Sequence, residues 1–219
     1  MSHMNTWQQL IYYLHHNGGY VLQQFNIHFL ISIYGVLFAV IVGVPIGIWI
    51  SKYRKMSNWI IGIANVIQTI PSLALLSILM LGLGLGANTV IVTVFLYSLL
   101  PIIKNTYTGM CSIDLNLLDA GKGMGMTKLE RLFYIELPLS LSVIMAGIRN
   151  ALVLAIGITA IGAFIGAGGL GSIIITGTNA TNGGAIILAG ALPTALMAII
   201  CDLFLAWLEK LFDPVKNYK

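Results

Sequence analysis

Asp119-Ala120-Gly121-Lys122-Gly123-Met124-Gly125, then, after nine intervening residues, Ile135-Glu136-Leu137-Pro138, lies in a stretch, Lys104–Pro138, set between long apolar runs. A chain that otherwise belongs in lipid has little reason to keep a loop of this length unless something docks on it. The local chemistry predicts two short helices. Over 116–124, residues three and four apart share a face, so Leu117, Ala120 and Gly121 form a small apolar knob. Asp119 is placed near the helix start, where a carboxylate favours the positive end of the dipole. Gly123 and Gly125 punctuate the helix, and glycine tolerates positive φ. Thr127 with Glu130 three residues on reads as a capping box. The helix it opens, over 128–136, is expected to stop at Pro138, which cannot continue it.

The rest of the chain says why such a loop matters. Of 219 residues, 58% are hydrophobic and 8% charged, against about 25% charged in a soluble domain. The fold class is therefore an all-α membrane protein. A spanning helix needs roughly 20 mostly apolar residues. Five segments qualify: 28–51, 58–81, 89–103, 140–165 and 185–208. Gln68, Thr69 and Pro71 lie at the middle of the second, where Gln68 and Pro71 mark a kink or gate. Segment 5–27, rich in Trp7, Tyr12, Tyr13, Tyr20 and Phe25 and broken by Asn17-Gly18-Gly19, reads as an external interfacial helix. Adjacent His15 and His16 point to different sides of a helix and do not share a metal. Residues 28–208 form the transmembrane domain, 104–138 its cytosolic loop and 209–219 a cytosolic tail. Met1–His3 read as a cloning scar with the native start at Met4, and no cleavable signal peptide is visible.

Charge sets the direction. Lys52, Arg54 and Lys55 follow the first span, Lys104, Lys122, Lys128 and Arg131 fall in the loop, and Lys210, Lys216 and Lys219 follow the last. With the N-terminus outside and the C-terminus cytosolic, all of them are inside. The net charge of +4 is thus sorted by membrane side, and without basic runs interleaved with aromatics it does not suggest nucleic acid. Cys111 and Cys201 have no metal-like spacing and fall on or near the cytosolic side, so neither metal nor disulfide is expected.

The loop resembles the EAA loop of ABC-importer permeases (E-A-A-x3-G-x9-I-x-L-P), with Asp119 for Glu and Gly121 for the second Ala. Leu117, Asp119, Ala120, Gly121, Gly125, Thr127, Ile135, Leu137 and Pro138 are the positions the resemblance assigns to docking on an ATPase. It extends over most of the chain: Gln68–Leu76, Leu96–Ile103 with Asn105–Gly109, and Gly166-Ala-Gly-Gly-Leu-Gly171 look like permease subunits of osmoprotectant importers, which handle glycine betaine, carnitine and choline. The resemblance implies a type I importer fold in a bacterial cytoplasmic membrane. Its implied partners are two ATP-binding cassette ATPases, a second permease subunit (the same chain or a paralogue) and an extracytoplasmic binding protein. Methionine-importer permeases are the nearest competitor.

No P-loop, HExxH or GxSxG is present, so ATP and Mg2+ are expected on the partner and no cofactor in this chain. Only Arg149 and Asp202 carry a formal charge at pH 7 within the five segments as read. Either they pair on antiparallel helices, or Arg149 snorkels alone to the cytosolic interface. Gly43/Gly47 and Gly162/Gly166 form GxxxG patterns that serve packing within the subunit or its interface. The glycine-rich segment 166–184 is either re-entrant or an external connector. Rival classes are an ATPase-independent channel or secondary transporter, and a membrane scaffold.

Overall fold

A computed structural model describes residues 5–212. The proposed scar and start, and the tail positions Lys216 and Lys219, lie outside the described residues. Nine α-helices run α1 (Thr6–Lys52), α2 (Arg54–Thr69), α3 (Ser72–Leu83), α4 (Ala87–Cys111), α5 (Leu115–Gly123), α6 (Lys128–Arg131), α7 (Leu137–Gly162), α8 (Leu170–Thr178) and α9 (Gly184–Phe212) among the described residues. Four helical stretches are long and apolar enough to cross a membrane, and the bent pair α2 and α3 passes the same test when the two are taken together.

Helix α1 differs from the expectation of a separate interfacial helix. Asn5 caps it through a box with Gln8, and it then continues unbroken for 47 residues. Asn17-Gly18-Gly19 does not interrupt it. Each glycine costs roughly 1 kcal/mol in a helix, but the flanks are anchored: Leu10 and Val21 are buried in the main core, and Leu10 and Leu14 line a cleft with Leu188, Leu192 and Leu196 of α9.

The second crossing is not one kinked helix. It breaks between Thr69 and Ser72, and the two pieces meet at 96°. Ile70 is extended at φ −69°, ψ 128°, the conformation forced on a residue that precedes proline.

Helix α4 is the centre. It runs alongside α1 on one flank and antiparallel to α7 on the other, with Gly86 N–H donating to Ile165 O at 3.0 Å where the start of α4 meets the segment after α7. At Gly47 a β-carbon would stand 2.5 Å from Thr106 Cβ of α4. The Gly43/Gly47 pattern therefore serves packing inside the subunit, and Gly162 does the same against Val90. Helix α4 also reaches eight residues past the expected end at Ile103. Ile103, Thr106, Gly109 and Met110 keep a buried face going, while polar Lys104 and Thr108 occupy the other face. Lys104 thus belongs to the span and not to the loop. A hydropathy average over both faces hides such a one-sided continuation. Segment 166–184 is neither wholly loop nor connector: it folds into α8, which buries Leu170, Gly171, Ile173 and Gly177.

Lipid-compatible surface covers the outside. Phe29, Leu37, Phe38 and Ile41 of α1 and Leu196, Ile199, Leu203 and Phe204 of α9 are all exposed.

Candidate functional site

The loop folds as a helix, a left-handed turn and a second helix, with three departures from expectation. Helix α5 begins at Leu115, and its cap is Asp114, whose Oδ1 accepts from Asn116 N–H at 2.9 Å. Asp119 consequently sits mid-helix. It pairs with Lys122 at 2.7 Å, and that hydrogen bond and charge hold its carboxyl below the usual range. Gly125 has φ 81°, with Met126 N–H closing back on Gly121 O at 3.1 Å. No side chain crowds it, so its conformation and not space demands glycine.

Gly121 is buried, and a β-carbon there would stand 2.8 Å from Ile135 Cδ1. It packs inward, seating α5 on the start of α7, and is not part of an outward knob. Leu117 and Ala120 do face outward. With Met124, Leu129, Phe133 and Tyr134, all exposed, they give the loop more exposed apolar surface than the motif alone implies. Ile135, Leu137 and Pro138 are half-buried and support that surface from beneath.

The second helix does not stop at Pro138. Thr127 and Glu130 form the capping box, with Thr127 N–H donating to Glu130 Oε2 at 2.7 Å. These bonds hold the Glu130 carboxyl low. After Arg131 the chain widens into one π turn, Leu132–Glu136, and enters α7 directly, with Pro138 at its start. A wider turn accommodates a residue that lacks an N–H and would crowd the preceding carbonyls of a regular helix. Inside it, Glu136 is buried and accepts from Arg131 Nε at 3.2 Å. Sequence reasoning does not single out Glu136, because it occupies the variable position of Ile-x-Leu-Pro.

Lys52, Arg54, Lys128 and Arg131 gather around one cleft of about 460 Å³ between the ends of α1, α4 and α5. The basic residues that follow the first span and those of the loop thus meet at one end of the bundle.

Within the spans, Arg149 of α7 donates to both oxygens of Asp202 of α9 at 2.9 and 3.0 Å, and to Glu209 Oε2 at 3.1 Å. The arrangement is a triad and not a pair. Glu209 lies beyond the apolar run that ends at 208 and reads as a tail residue in the sequence, but seven residues on from Asp202 it lies on the same side of α9.

The break at Pro71 is braced to α4 twice. Gln68 Nε2 donates to the Tyr97 carbonyl at 2.8 Å, and Tyr97 O–H donates to the Ile70 carbonyl. Tyr97 thus supplies a donor to a carbonyl that the broken helix leaves free. A second brace is invisible in the sequence. Gln24 Oε1 accepts from Gly169 N–H at 2.7 Å, His28 Nε2 bonds the Ile156 carbonyl at 2.9 Å and Ser32 donates to Thr159 at 2.9 Å. These join α1 to the C-terminal part of α7 and the glycine turn. Among the described residues no cluster of three or more metal-ligating side chains occurs.

Comparison with known proteins matches residues 35–215 to the family described as binding-protein-dependent transport system inner membrane component. The chain is 65% identical over 216 residues, 99% of its length, to the glycine betaine/carnitine/choline transport system permease protein OpuCD of Bacillus subtilis (strain 168), covering 94% of that protein. It is 61% identical over 214 residues to the carnitine transport permease protein OpuCD of Listeria monocytogenes serotype 1/2a (strain 10403S), covering 98% of this chain and 96% of that one. Among solved structures, an inward-facing MetNI methionine ABC transporter superposes with a TM-score of 0.79 at 17% identity, covering 88% of this chain and 95% of that one.

Proposed function

This chain belongs to the binding-protein-dependent transport system inner membrane component family, and on that premise we propose its working role: the membrane-spanning permease of an ATP-driven bacterial importer for quaternary-amine osmoprotectants such as glycine betaine, carnitine and choline. It is a multi-pass protein of the bacterial inner membrane. The observation that carries the substrate class is the 65% identity across 99% of the chain to a permease of that specificity. The methionine reading has the fold alone behind it, at 17% identity.

The loop is read as the point where force enters. The exposed apolar surface of Leu117, Ala120, Met124, Leu129, Phe133 and Tyr134 is the contact for a partner ATPase, which binds ATP and Mg2+ and carries out hydrolysis. The π turn joins that surface to α7 without a hinge, so displacement of the loop is delivered to the span directly. A second permease subunit completes the pathway, and an external binding protein delivers the solute. The N-terminus is placed outside and the loop in the cytosol. The common cleft of Lys52, Arg54, Lys128 and Arg131 supports that direction, because basic residues favour the cytosolic side.

Gly125→Ala tests the reading. The substitution meets no neighbour, so the subunit is expected to fold, but a left-handed alanine costs roughly 1–2 kcal/mol. In proteoliposomes containing the whole transporter, ATP-driven uptake of labelled glycine betaine is expected to fall about five- to thirty-fold, together with recovery of the ATPase on affinity-purified permease. Unchanged uptake and assembly would remove the loop from the mechanism.

A further inference from the structure

Along one side of the bundle, Gln68 of α2, Leu100, Pro101, Lys104 and Asn105 of α4, and Asn150 of α7 line a groove of about 480 Å³. Lys104 lies seven residues before the end of α4 at Cys111, about 10 Å above the cytosolic end at 1.5 Å per residue. Lys104 and Asn150 are exposed, while Gln68 and Asn105 are half-buried. Gln68 and Asn105 spend one amide hydrogen each on the carbonyls of Tyr97 and Pro101, at 2.8 and 2.7 Å, and their side-chain oxygens are left to the groove. Among the described residues no carboxylate pairs with Lys104. The other cation at this depth, Arg149, is occupied by Asp202 and Glu209.

An unpaired ammonium and free amides turned toward hydrocarbon are costly, and in membrane proteins such groups face a water-filled cavity or a protein partner. Elsewhere the outer surface obeys that rule: α9 presents Leu196, Ile199, Leu203 and Phe204. The polar side of the groove is therefore wet, and apolar Leu100, Pro101, Val153 and Leu154 complete its lining. Its charge is a single positive one, beside neutral amides, which suits a carboxylate and opposes a bare cation.

We propose that this groove is a solute subsite within the membrane, in which the Lys104 ammonium receives the carboxylate of a zwitterionic quaternary amine in transit. The inference rests on the osmoprotectant reading and sharpens it. Glycine betaine and carnitine carry a carboxylate, whereas choline carries a hydroxyl and gains nothing from Lys104. The permease itself thus discriminates between solutes that share the same quaternary head.

The test uses the complete transporter in proteoliposomes, as wild type, Lys104→Met and Lys104→Arg, with labelled glycine betaine and labelled choline. Lys104→Met is expected to cut glycine betaine uptake at least tenfold while changing choline uptake less than twofold, and Lys104→Arg is expected to retain most glycine betaine uptake. Equal loss of both solutes overturns the subsite and points to a lipid phosphate or the fold as the partner of Lys104. Loss of neither also overturns it. A wild type that imports no quaternary amine sinks the osmoprotectant reading itself. Where the wild type imports glycine betaine but not choline, Asn150→Cys in a Cys111→Ser/Cys201→Ser background decides, because it reports on the same groove with Lys104 in place. Reaction with a membrane-impermeant sulfonate thiosulfonate is expected to be slowed by glycine betaine under ATP with Lys104 present and not with Lys104→Met; a rate that glycine betaine leaves unchanged overturns the proposal, as does a wild type that imports choline alone.

Discussion

Replacing Arg149 leaves two carboxylates facing each other with no counter-charge. The guanidinium holds Asp202 through two bonds at 2.9 and 3.0 Å and Glu209 through a third at 3.1 Å. Breaking a fully buried ion pair from one side costs about 3–5 kcal/mol. The Asp202 side chain keeps 37% exposure and Glu209 24%, so the cost here is reduced to about 2–3 kcal/mol. For a chain of this size each kcal/mol moves Tm by about 2–4 °C, so Arg149→Ala is expected to melt roughly 4–12 °C lower in detergent, followed by fluorescence-detected size exclusion. The charge swap Arg149→Asp/Asp202→Arg restores one attraction but sets the introduced carboxylate beside Glu209, so rescue is partial. Adding Glu209→Gln removes that repulsion and is expected to return most of the remaining Tm. Glu209→Gln alone leaves the two-bond contact with Asp202 intact and should shift Tm by a degree or two. An Arg149→Ala protein that melts like wild type refutes the triad, and a swap that rescues fully with Glu209 in place removes Glu209 from it.

Two further outcomes follow from the site geometry. Tyr97→Phe withdraws the donor from the Ile70 carbonyl at the break. An acceptor left unpaired in a buried setting costs about 1–3 kcal/mol, expected as a Tm loss of several degrees with slower uptake, and an unaltered Tm would show that the brace carries no load. The Glu130 carboxyl is held low first by the backbone N–H of Thr127 and then by its hydroxyl, so the capping box stabilises the folded loop above the ordinary carboxylate range and loses that contribution as pH falls through the lowered value. The exchange protection of the Thr127, Glu130 and Arg131 amides, taken relative to the intrinsic rate at each pH, is expected to hold from neutrality down to the ordinary carboxylate range and to fall below it. Thr127→Ala should lose the protection of Glu130 at neutral pH already, and wild-type protection that does not change with pH would contradict the cap.

Much of this protein was legible in one dimension, for a physical reason. Partition into lipid depends on the apolar content of a local window, and the membrane sidedness of lysine and arginine depends on loop composition. Five crossings, the basic end and the two-helix loop therefore follow from residues near one another in the chain. The Thr127–Glu130 box and the Gly125 turn are local in the same sense, with partners within five residues. What needed tertiary structure was everything decided between distant segments. Whether Gly18 and Gly19 break α1 depends on Leu10 and Val21 having a core to join. Whether Pro71 bends a span or splits it at 96° depends on a tyrosine hydroxyl waiting on α4. Gly121 looks like a docking residue until Ile135 is seen beneath it. Lys104 reads as a loop residue because hydropathy averages over a helix, whereas the fold sorts the faces of that helix, burying Ile103 and Thr106 and leaving the ammonium in a groove. Arg149 finds Asp202 and Glu209 across 53 and 60 residues of chain, a separation at which spacing carries no signal and only the packing of α7 against α9 decides.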